Sequence, residues 1–403
     1  MDVLNLVGAF PKISETFILN QLIGQIRLGN DPSIIARNNP DEQFVHDTVH
    51  EFGLMDKCVY LHGPGGYIRG VQLTVQEISR LITSHKVGLK TIACVFTHGK
   101  ATPKRLRDLR YFTEIKNEYD ICHAHFGTIS TNFSTGIGQL DAPFIVSFYG
   151  YDVSAVPENT PNIYNQLFSE VDAVTCLSED MRTDLIELGC PSELIQKVPL
   201  CIDTSRFCPS ESANEQSDEI QIFTIARHVE KKGLEYAINA VATFDTDISI
   251  TYAIAGDGPL RKKLEELIER VDTHDRVTLL GYRPQSEIQE MLRSADIFLL
   301  PSVTSQNGDK EGTPTALLEA QASGVPVIST THAGIPEIVD DGETGILVPE
   351  RDIDRIQEAL HRLIRDEQMR HTMGEHGREK VLENHSIEAV ATRLNRLYDS
   401  VRS

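Results

Sequence analysis

The sequence predicts an α/β protein with two doubly wound domains, each a parallel sheet with helices on both faces. Along its 403 residues, short apolar runs alternate with longer amphipathic stretches, a pattern typical of parallel strands connected by helices. The length suits two or three domains with their own cores. The alternation starts again after the polar, acidic residues 211–219, which we interpret as the joint between two domains of similar size.

In chain order, the first half predicts one early helix, at residues 14–27, and five strands. Each strand prediction depends on a short, mainly apolar run of the kind that is buried on both faces of a parallel sheet. These strands are predicted at residues 3–7, 91–96, 121–125, 144–148 and 173–177.

The second half repeats the pattern. A helix is predicted after the turn at residues 256–259, because one helical face collects five apolar side chains: Leu260, Leu264, Leu267, Ile268 and Val271. The C-terminal residues 387–401 are also amphipathic. We therefore predict domains at residues 1–208 and 209–385, followed by a helix within 386–403. The strands are predicted at residues 220–226, 249–255, 277–280, 297–301 and 325–329.

The charge balance restricts the class of partner. The chain has 38 Lys+Arg against 59 Asp+Glu, a formal net charge of −21, which argues against binding to nucleic acid. One local exception lies at residues 86–110, where seven basic residues face a single acid, Asp108. This stretch is either a solvated helix or a contact with anionic lipid or a phosphorylated acceptor. The basic residues are Lys86, Lys90, Lys100, Lys104, Arg105, Arg107 and Arg110.

Cysteine usage and the N-terminus indicate a compartment. The seven cysteines include no C-x-x-C pair and are odd in number, so we expect buried thiols in a reducing compartment. The N-terminus has no basic segment followed by a long apolar run, so no signal peptide is predicted. No stretch approaches the roughly 20 apolar residues that a membrane span needs. These features predict a cytoplasmic protein.

The most informative motif follows the strand predicted to end at Pro301. A polar loop leads to Glu311-Gly312-Thr313-Pro314, and a helix is predicted to start with the proline in its first turn. The free N–H groups and positive dipole end of a helix N-terminus suit an anion. Glu319 is predicted about two turns into the helix. Glu311 and Glu319 can therefore face one ligand that straddles the helix start.

A second motif lies at the end of the first strand of the second domain. Arg227 and Lys232 follow that strand, and open α/β sheets bind ligands at the carboxyl ends of their strands. The pair would supply two cations to a diphosphate, Arg227 as a planar fork and Lys232 as a point charge. Asp257, after the next strand, is a candidate ligand contact, although aspartate is commoner there as a turn and cap residue.

The first domain offers weaker candidates. Gly8 ends the first strand, where a small residue gives room to a substrate. His123 and His125 alternate with Ala124 on a predicted strand, so their side chains point to one face. A metal site would need a third ligand, which the sequence does not supply. A packing role or a place in a polar cleft is therefore the favoured interpretation.

Together these motifs resemble the retaining glycosyltransferases of family 4, which have the GT-B fold. The resemblance is strong over residues 222–349, through Glu311 and Glu319 (E-x7-E), the Arg227/Lys232 pair and the turn at 255–259. The first domain resembles the branch that assembles exopolysaccharides, through FPKISETF at residues 10–17 and CHAHFG at residues 122–127.

The resemblance implies a role for each catalytic candidate. Arg227 and Lys232 would neutralise charge on the leaving diphosphate, and Glu311 would hold hydroxyls of the donor sugar. No Asp-x-Asp motif is placed for a metal, so the two basic side chains would replace the cation. The implied donor is a nucleoside-diphosphate sugar, with no resident cofactor or metal.

The family also implies how the rest of the donor is held. Gly312, Thr313 and Pro314 would place the helix N-terminus against the phosphates, Glu319 would accept hydrogen bonds from the ribose, and Gly281 and Tyr282 would meet the base. The C-terminal helix would cross back to the first domain.

One position departs from the family pattern. Many members have a histidine where this chain has Tyr149, in the sequence SFYGYD at residues 147–152. Either the phenol replaces the contact that histidine makes to donor or acceptor, or His123 or His125 takes part instead. Asp152 remains available on the acceptor side.

The predicted function is retaining transfer of a sugar to an acceptor hydroxyl, in cell-surface polysaccharide or glycolipid assembly at the cytoplasmic face of the membrane. A dehydrogenase on the same fold would need G-x-G-x-x-G after its opening strand, whereas this chain has Gly8-Ala9-Phe10-Pro11 there. Two alternatives stay open: a catalytically silent nucleotide-sugar binder, and a soluble sugar or sugar-phosphate synthase.

Overall fold

The computed structural model describes residues 1–12, 15–40, 45–61, 108, 111–210 and 219–403. The strand predicted at 91–96, most of the joint at 211–219 and the basic stretch at 86–110, apart from Asp108, lie outside these residues. The described strands form two parallel sheets, one of seven strands and one of six. The predicted fold of two doubly wound sheets is thus confirmed.

The first sheet has the strand order β3-β2-β1-β4-β5-β6-β7. Its strands are β1 (Asp2–Ala9), β2 (Asp31–Asn38), β3 (Cys58–Tyr60), β4 (Ile121–His125), β5 (Phe144–Ser147), β6 (Ala173–Cys176) and β7 (Ile195–Lys197). Its helices are α1 (Thr16–Arg27), α2 (Asp47–Glu51), α3 (Gly127–Ile137), α4 (Ala155–Asn159), α5 (Asn165–Phe168) and α6 (Glu179–Glu187).

The second sheet has the order β10-β9-β8-β11-β12-β13. Its strands are β8 (Glu219–Ile225), β9 (Ser249–Ala255), β10 (Val277–Gly281), β11 (Ile297–Leu300), β12 (Val327–Thr330) and β13 (Gly345–Val348). Its helices are α7 (Leu234–Ala242), α8 (Arg261–Arg270), α9 (Gln285–Ser294), α10 (Thr315–Ala322), α11 (Ile335–Ile338), α12 (Ile353–Arg365) and α13 (Glu367–Asn384).

Each sheet reverses its strand order once, between β1 and β4 in the first and between β8 and β11 in the second. Adjacent strands at such a point send their connections to opposite faces, which opens a crevice beyond their carboxyl ends. The residues after β1 and β4 and those after β8 and β11 therefore lie where ligands bind in this class of sheet.

The C-terminal helix α14 (Ile387–Arg402) crosses back to the first domain, as the family resemblance implies. Its apolar face packs against α1 and joins the first domain's core through Ile387, Val390 and Leu394. The contact is close because Gly24 of α1 faces Ala391: a Cβ atom on Gly24 would lie 2.7 Å from the Cβ of Ala391.

This close approach gives a first prediction. We expect Gly24→Ala to destabilise the protein by about 1–3 kcal/mol, the usual cost of overpacking, because the two helix backbones cannot separate without losing their other contacts. Chemical denaturation would measure the loss. Adding Ala391→Gly to the same chain moves the methyl group across the interface and should recover part of the stability. Equal stability of wild type and Gly24→Ala would contradict the close packing.

Candidate active site

The site is centred on the loop between β11 and α10, here called the donor loop (residues 301–314). Lys232 is brought to this loop by a 3-10 turn, Glu230–Lys232, that follows β8. Gly233 comes next with φ +62°, and a side chain there would overlap the carbonyl of Pro301. A glycine is needed for this close approach. It places the Nζ atom of Lys232 2.9 Å from Oε2 of Glu311.

Glu311 is a buried carboxylate whose Oε2 atom is hydrogen-bonded to Lys232, while its Oε1 atom has Lys231 as an ion-pair partner at 3.8 Å, beyond hydrogen-bond distance. Burial raises its pKa, but Lys232 and then Lys231 lower it by more, so the net shift is downward and the group is ionised at neutral pH. Its Oε1 atom accepts no hydrogen bond within the described part of the chain. A buried charged oxygen without a donor is costly, so this atom is suited to accept a ligand hydroxyl.

His332 holds the backbone of Glu311. The Glu311 N–H donates to Nε2 of His332 at 3.1 Å, and Nδ1 of the same ring lies 2.6 Å from Oε1 of Glu350. Because Nε2 accepts, the ring proton is on Nδ1 and is donated to Glu350. Sequence analysis missed His332 and Glu350, because neither belongs to a local motif.

Two further hydroxyls of the donor loop are available to a ligand. The Oγ1 atom of Thr313 and the Oγ atom of Ser302 are buried and have no hydrogen-bond partner among the described residues. Thr313 lies just before α10, whose N-terminus has no side-chain cap. One correction concerns this helix: Pro314 is its N-cap, with φ −66° and ψ 115°, and precedes the first turn that was predicted to contain it.

Glu319 lies in α10 but nearer the N-terminus than predicted, a little over one turn into the helix, because α10 begins at Thr315. It faces a cleft between the domains. Burial raises the pKa of Glu319 to about 7, with Lys232 acting in the opposite direction. The other residues of the cleft include Thr16, Asn20, His46, Asp203, Arg206 and Gln285.

The remaining donor-side candidates lie at the carboxyl ends of β8, β9 and β10. Arg227 is exposed and makes no ion pair with the described residues. Asp257 accepts the N–H of Gly258 at 2.7 Å, as a turn residue does. Gly281 has φ +74° and accepts the N–H of Gly256 at 2.9 Å, while Tyr282 is 55% exposed. The structure thus pairs Lys232, and not Arg227, with Glu311.

The first-domain histidines are buried in the protein interior. His123 and His125 lie on β4 with their rings stacked 4.5 Å apart. His125 contacts the hydroxyl of Tyr149 at 2.7 Å through Nδ1, and His123 contacts the hydroxyl of Tyr398 at 2.7 Å. Burial lowers the pKa of His123 to about 3 and that of His125 well below its usual value. Both are therefore neutral members of a polar network.

Asp152 and Gly8 are both in contact with other residues of the first domain. The carboxylate of Asp152 is buried and accepts the N–H groups of Gly127 at 3.0 Å and Tyr149 at 2.9 Å. Burial raises its pKa to about 6 despite these bonds. The space beside Gly8 is taken by Ile129, whose Cδ1 would lie 3.0 Å from a Cβ at that position. The small residue thus makes room for a side chain of the protein itself.

The two domains meet around the donor loop. Lys310 pairs with Asp184 of α6 at 3.2 Å. A Cβ on Gly334 would lie 2.7 Å from the carbonyl oxygen of Gly312 and 2.9 Å from the Cβ of Ser178. The backbone N–H of Glu179 donates to Glu337 at 2.6 Å. The loop that carries Glu311 is thus packed directly against the first domain.

Two kinds of feature are absent from the described part of the chain. In that part of the chain, no three His, Cys, Asp or Glu side chains cluster in a way that could hold a metal ion. Of the helices within it, none is long and apolar enough to span a membrane.

The fold and the site define a two-domain glycosyltransferase of the GT-B type, and sequence comparison gives the family. Residues 14–206 match the model of Glycosyltransferase Family 4, and residues 209–380 match that of Glycosyl transferases group 1. The chain belongs to the family 4 glycosyltransferases, which confirms the resemblance inferred from the motifs.

Relatives match this chain over most of its length. The putative colanic acid biosynthesis glycosyltransferase WcaL of Salmonella typhimurium is 33% identical, covering 97% of this chain and 98% of the relative. The amylovoran biosynthesis glycosyltransferase AmsK of Erwinia amylovora is 33% identical, covering 89% of each. Among solved structures, HepE of Anabaena in complex with UDP is 16% identical, with a TM-score of 0.74 over 99% of this chain and 100% of that one. The last match shows the shared fold.

Proposed function

We propose that this glycosyltransferase moves a sugar from a nucleoside-diphosphate sugar to an acceptor hydroxyl with retention of configuration, in cell-surface polysaccharide or glycolipid assembly. The observation that carries the proposal is the buried Lys232–Glu311 pair beside the N-terminus of α10, at the reversal point of the second sheet. The names of the two relatives at 33% identity support the polysaccharide pathway.

The site supplies what breaking a glycosyl–phosphate bond requires. Negative charge grows on the leaving diphosphate, and preorganised cations and dipoles stabilise it. The Lys232 ammonium and the positive dipole end of α10 would provide such charge. The Oε1 atom of Glu311, which accepts no hydrogen bond from the described residues, can accept one from a hydroxyl of the donor sugar and hold that sugar against the acceptor. In this proposal Arg227 joins only when the donor is bound, and no metal or resident cofactor takes part.

We propose that the enzyme works at the cytoplasmic face and touches anionic lipid through residues 86–110. Flotation with vesicles that contain anionic lipid tests this contact. Vesicle binding that is lost when Lys104, Arg105 and Arg107 are all neutralised would support the lipid contact. Absence of binding by the wild-type chain would contradict it.

A thermal-shift screen with UDP-glucose, UDP-galactose, GDP-mannose and ADP-glucose tests the donor class. A ligand that binds only the folded state raises stability, by about 2.7 kcal/mol at 100 times its Kd. We expect one nucleotide base to give a clear rise, and Glu311→Gln to abolish turnover of that donor. No rise with any of them would contradict the proposal. Binding without turnover in the wild type would favour the silent binder.

The raised pKa of Glu319 predicts a pH dependence of donor binding. If ribose hydroxyls bind its ionised form, donor binding lowers this pKa and releases a proton, so affinity rises with pH up to about 7 and then levels. Calorimetry with the sugar nucleotide selected by the screen, at pH 6 and pH 8, would measure the rise. His46, Asp203 and Arg206 line the same cleft. Glu319→Gln therefore separates the contribution of Glu319 from that of these residues, and it should remove most of the dependence of donor affinity on pH.

A further inference from the structure

A chain of hydrogen bonds between buried side chains crosses the core of the first domain. Its members are almost completely buried, and it joins the C-terminal helix to the loop after β5. These members are Asn5, Gln25, His123, His125, Ser147 and Tyr398, with the half-buried Tyr149 at one end. The function proposed above uses none of these bonds.

The side-chain amide of Asn5 determines which groups donate and which accept in this chain of hydrogen bonds. Its amide nitrogen lies 3.2 Å from the carbonyl oxygen of Val3 and 3.4 Å from that of Ser33. Carbonyl oxygens only accept, so the amide group must face them with its NH₂. The Oδ1 atom is then on the other side, where it can only accept. It lies 3.3 Å from Nε2 of His125, so that nitrogen must carry the proton.

This assignment determines the bond to Tyr149. His125 is neutral because it is buried, and a neutral imidazole carries one proton. With that proton on Nε2, Nδ1 is an acceptor. The Tyr149 hydroxyl, 2.7 Å away, therefore donates to it. The phenol is turned into the domain, and its ring packs against Phe17 and Phe126 at centroid distances of 4.6 and 4.8 Å.

The same reasoning assigns the donors and acceptors in the second branch, which runs from Asn5 through Gln25 and Tyr398 to His123. Gln25 accepts from Asn5 through Oε1 at 3.0 Å, so its Nε2 donates to Oδ1 of Asn5 at 3.1 Å and to the hydroxyl of Tyr398 at 3.2 Å. Among the described residues, the one acceptor within reach of the Tyr398 hydroxyl proton is Nδ1 of His123, so Tyr398 donates to it. Nε2 of His123 then carries the ring proton and donates to Ser147, both bonds being 2.7 Å long. Helix α14 is thus tied to the same Asn5–Gln25 pair that orders His125.

The backbone of Tyr149 reaches the donor loop. A Cβ on Gly312, the residue after Glu311, would lie 3.2 Å from the carbonyl oxygen of Tyr149. Gly150 follows with φ +117°, and a Cβ there would lie 3.4 Å from the nitrogen of Gly312. The segment that the phenol anchors is therefore the segment against which the donor loop packs.

We propose that Asn5 is a positioning residue for the active site: it sets the tautomer of His125, which anchors Tyr149 and so holds the Tyr149–Gly150 backbone against Gly312. The catalytic consequence depends on the function proposed above, whereas the proton arrangement does not. Tyr149 in this role replaces the family histidine in sequence only, since its hydroxyl is engaged inside the domain.

The proton arrangement is tested by ¹⁵N NMR of the full chain labelled in histidine, with His125 assigned from a His125→Phe variant. We expect His125 and His123 to be neutral with the proton on Nε2, and Tyr149→Phe to shift only the Nδ1 resonance of His125. An Nδ1-protonated His125 in the wild-type spectrum would overturn the proposal, whatever the enzyme's activity.

The positioning role is tested by a double-mutant cycle on turnover of the sugar nucleotide selected above. We expect Asn5→Leu and Tyr149→Phe each to lower kcat by roughly 10- to 100-fold, with donor KM changed less than about threefold, because donor contacts stay while their alignment is lost. The double variant should lose no more than either single one. Additive losses, or an unchanged kcat in Tyr149→Phe, would overturn the role.

Tyr252→Phe is the matched control. Its phenol is more buried than that of Tyr149 and makes one side-chain bond, to Thr224 at 2.8 Å, but it lies in the second sheet. We expect its kcat to equal that of wild type. If Asn5→Leu does not fold, Tyr149→Phe and the wild-type spectrum still decide the question.

Discussion

Replacing Lys232 with methionine is expected to lower the rate of sugar transfer by roughly 10²–10³-fold, the usual loss when one preorganised group that stabilises transition-state charge is removed. The ammonium of Lys232 is the cation in contact with Glu311, at 2.9 Å, and it also acts on the pKa of Glu319. Its removal takes positive charge from the place where the diphosphate would leave. Steady-state turnover of the donor selected by thermal shift would measure the loss.

The same variant should lose stability, because the buried carboxylate of Glu311 loses its hydrogen-bonded cation and is left with Lys231 at 3.8 Å. Breaking a buried ion pair from one side costs about 3–5 kcal/mol, less whatever the carboxylate recovers by taking up a proton. Lys232→Met/Glu311→Gln removes both charges, so it should recover much of the stability while remaining inactive. That combination separates a catalytic loss from simple unfolding.

Lys262→Met is the matched control for charge. Its side chain is 87% exposed, and its distance to Glu266 is 3.9 Å, so the pair contributes little. Turnover and stability should both stay near wild type. A Lys232→Met enzyme that turns over as fast as this control would contradict the site assignment.

The sequence predicts strands well where an apolar run is continuous, and less well at sheet edges. β4 and β9 lie at the predicted bounds. β2 was not predicted, because Pro32 and Arg37 interrupt its apolar run, although pairing with β1 makes it a strand. The outermost described strands of the first sheet, β3 and β7, have only three residues each, too few for a periodic signal.

The order of strands and loops along the sequence predicts which loops lie close together. It does not predict which side-chain atoms form ion pairs or hydrogen bonds. Arg227 and Lys232 are equivalent in sequence terms, since both follow β8. The turn that ends at Gly233 directs Lys232 to Glu311 and leaves Arg227 exposed. The bond between His123 and Tyr398 joins residues 275 positions apart. Only the return of α14 to the first domain brings them together, so no local pattern could indicate that bond.

The contact between the domains predicts the second large effect. Gly334→Ala should lower transfer by about 10²-fold while nucleotide affinity changes little, because a small misplacement of aligned groups costs rate more than binding. The added Cβ would lie 2.7 Å from the backbone oxygen of Gly312 and 2.9 Å from Ser178 across the domain boundary. The loop that carries Glu311, or the first domain, must move away.

Gly342→Ala provides the control, since it is the same substitution in the same domain with no atom within 4 Å of the new Cβ. Its φ of +80° will cost some stability but should leave turnover alone. Small-angle scattering would detect separation of the domains in Gly334→Ala. Wild-type turnover in that variant would mean that the packed arrangement around Gly312 is not the one in which transfer occurs. A rate loss without any change in scattering would place the movement within the donor loop itself.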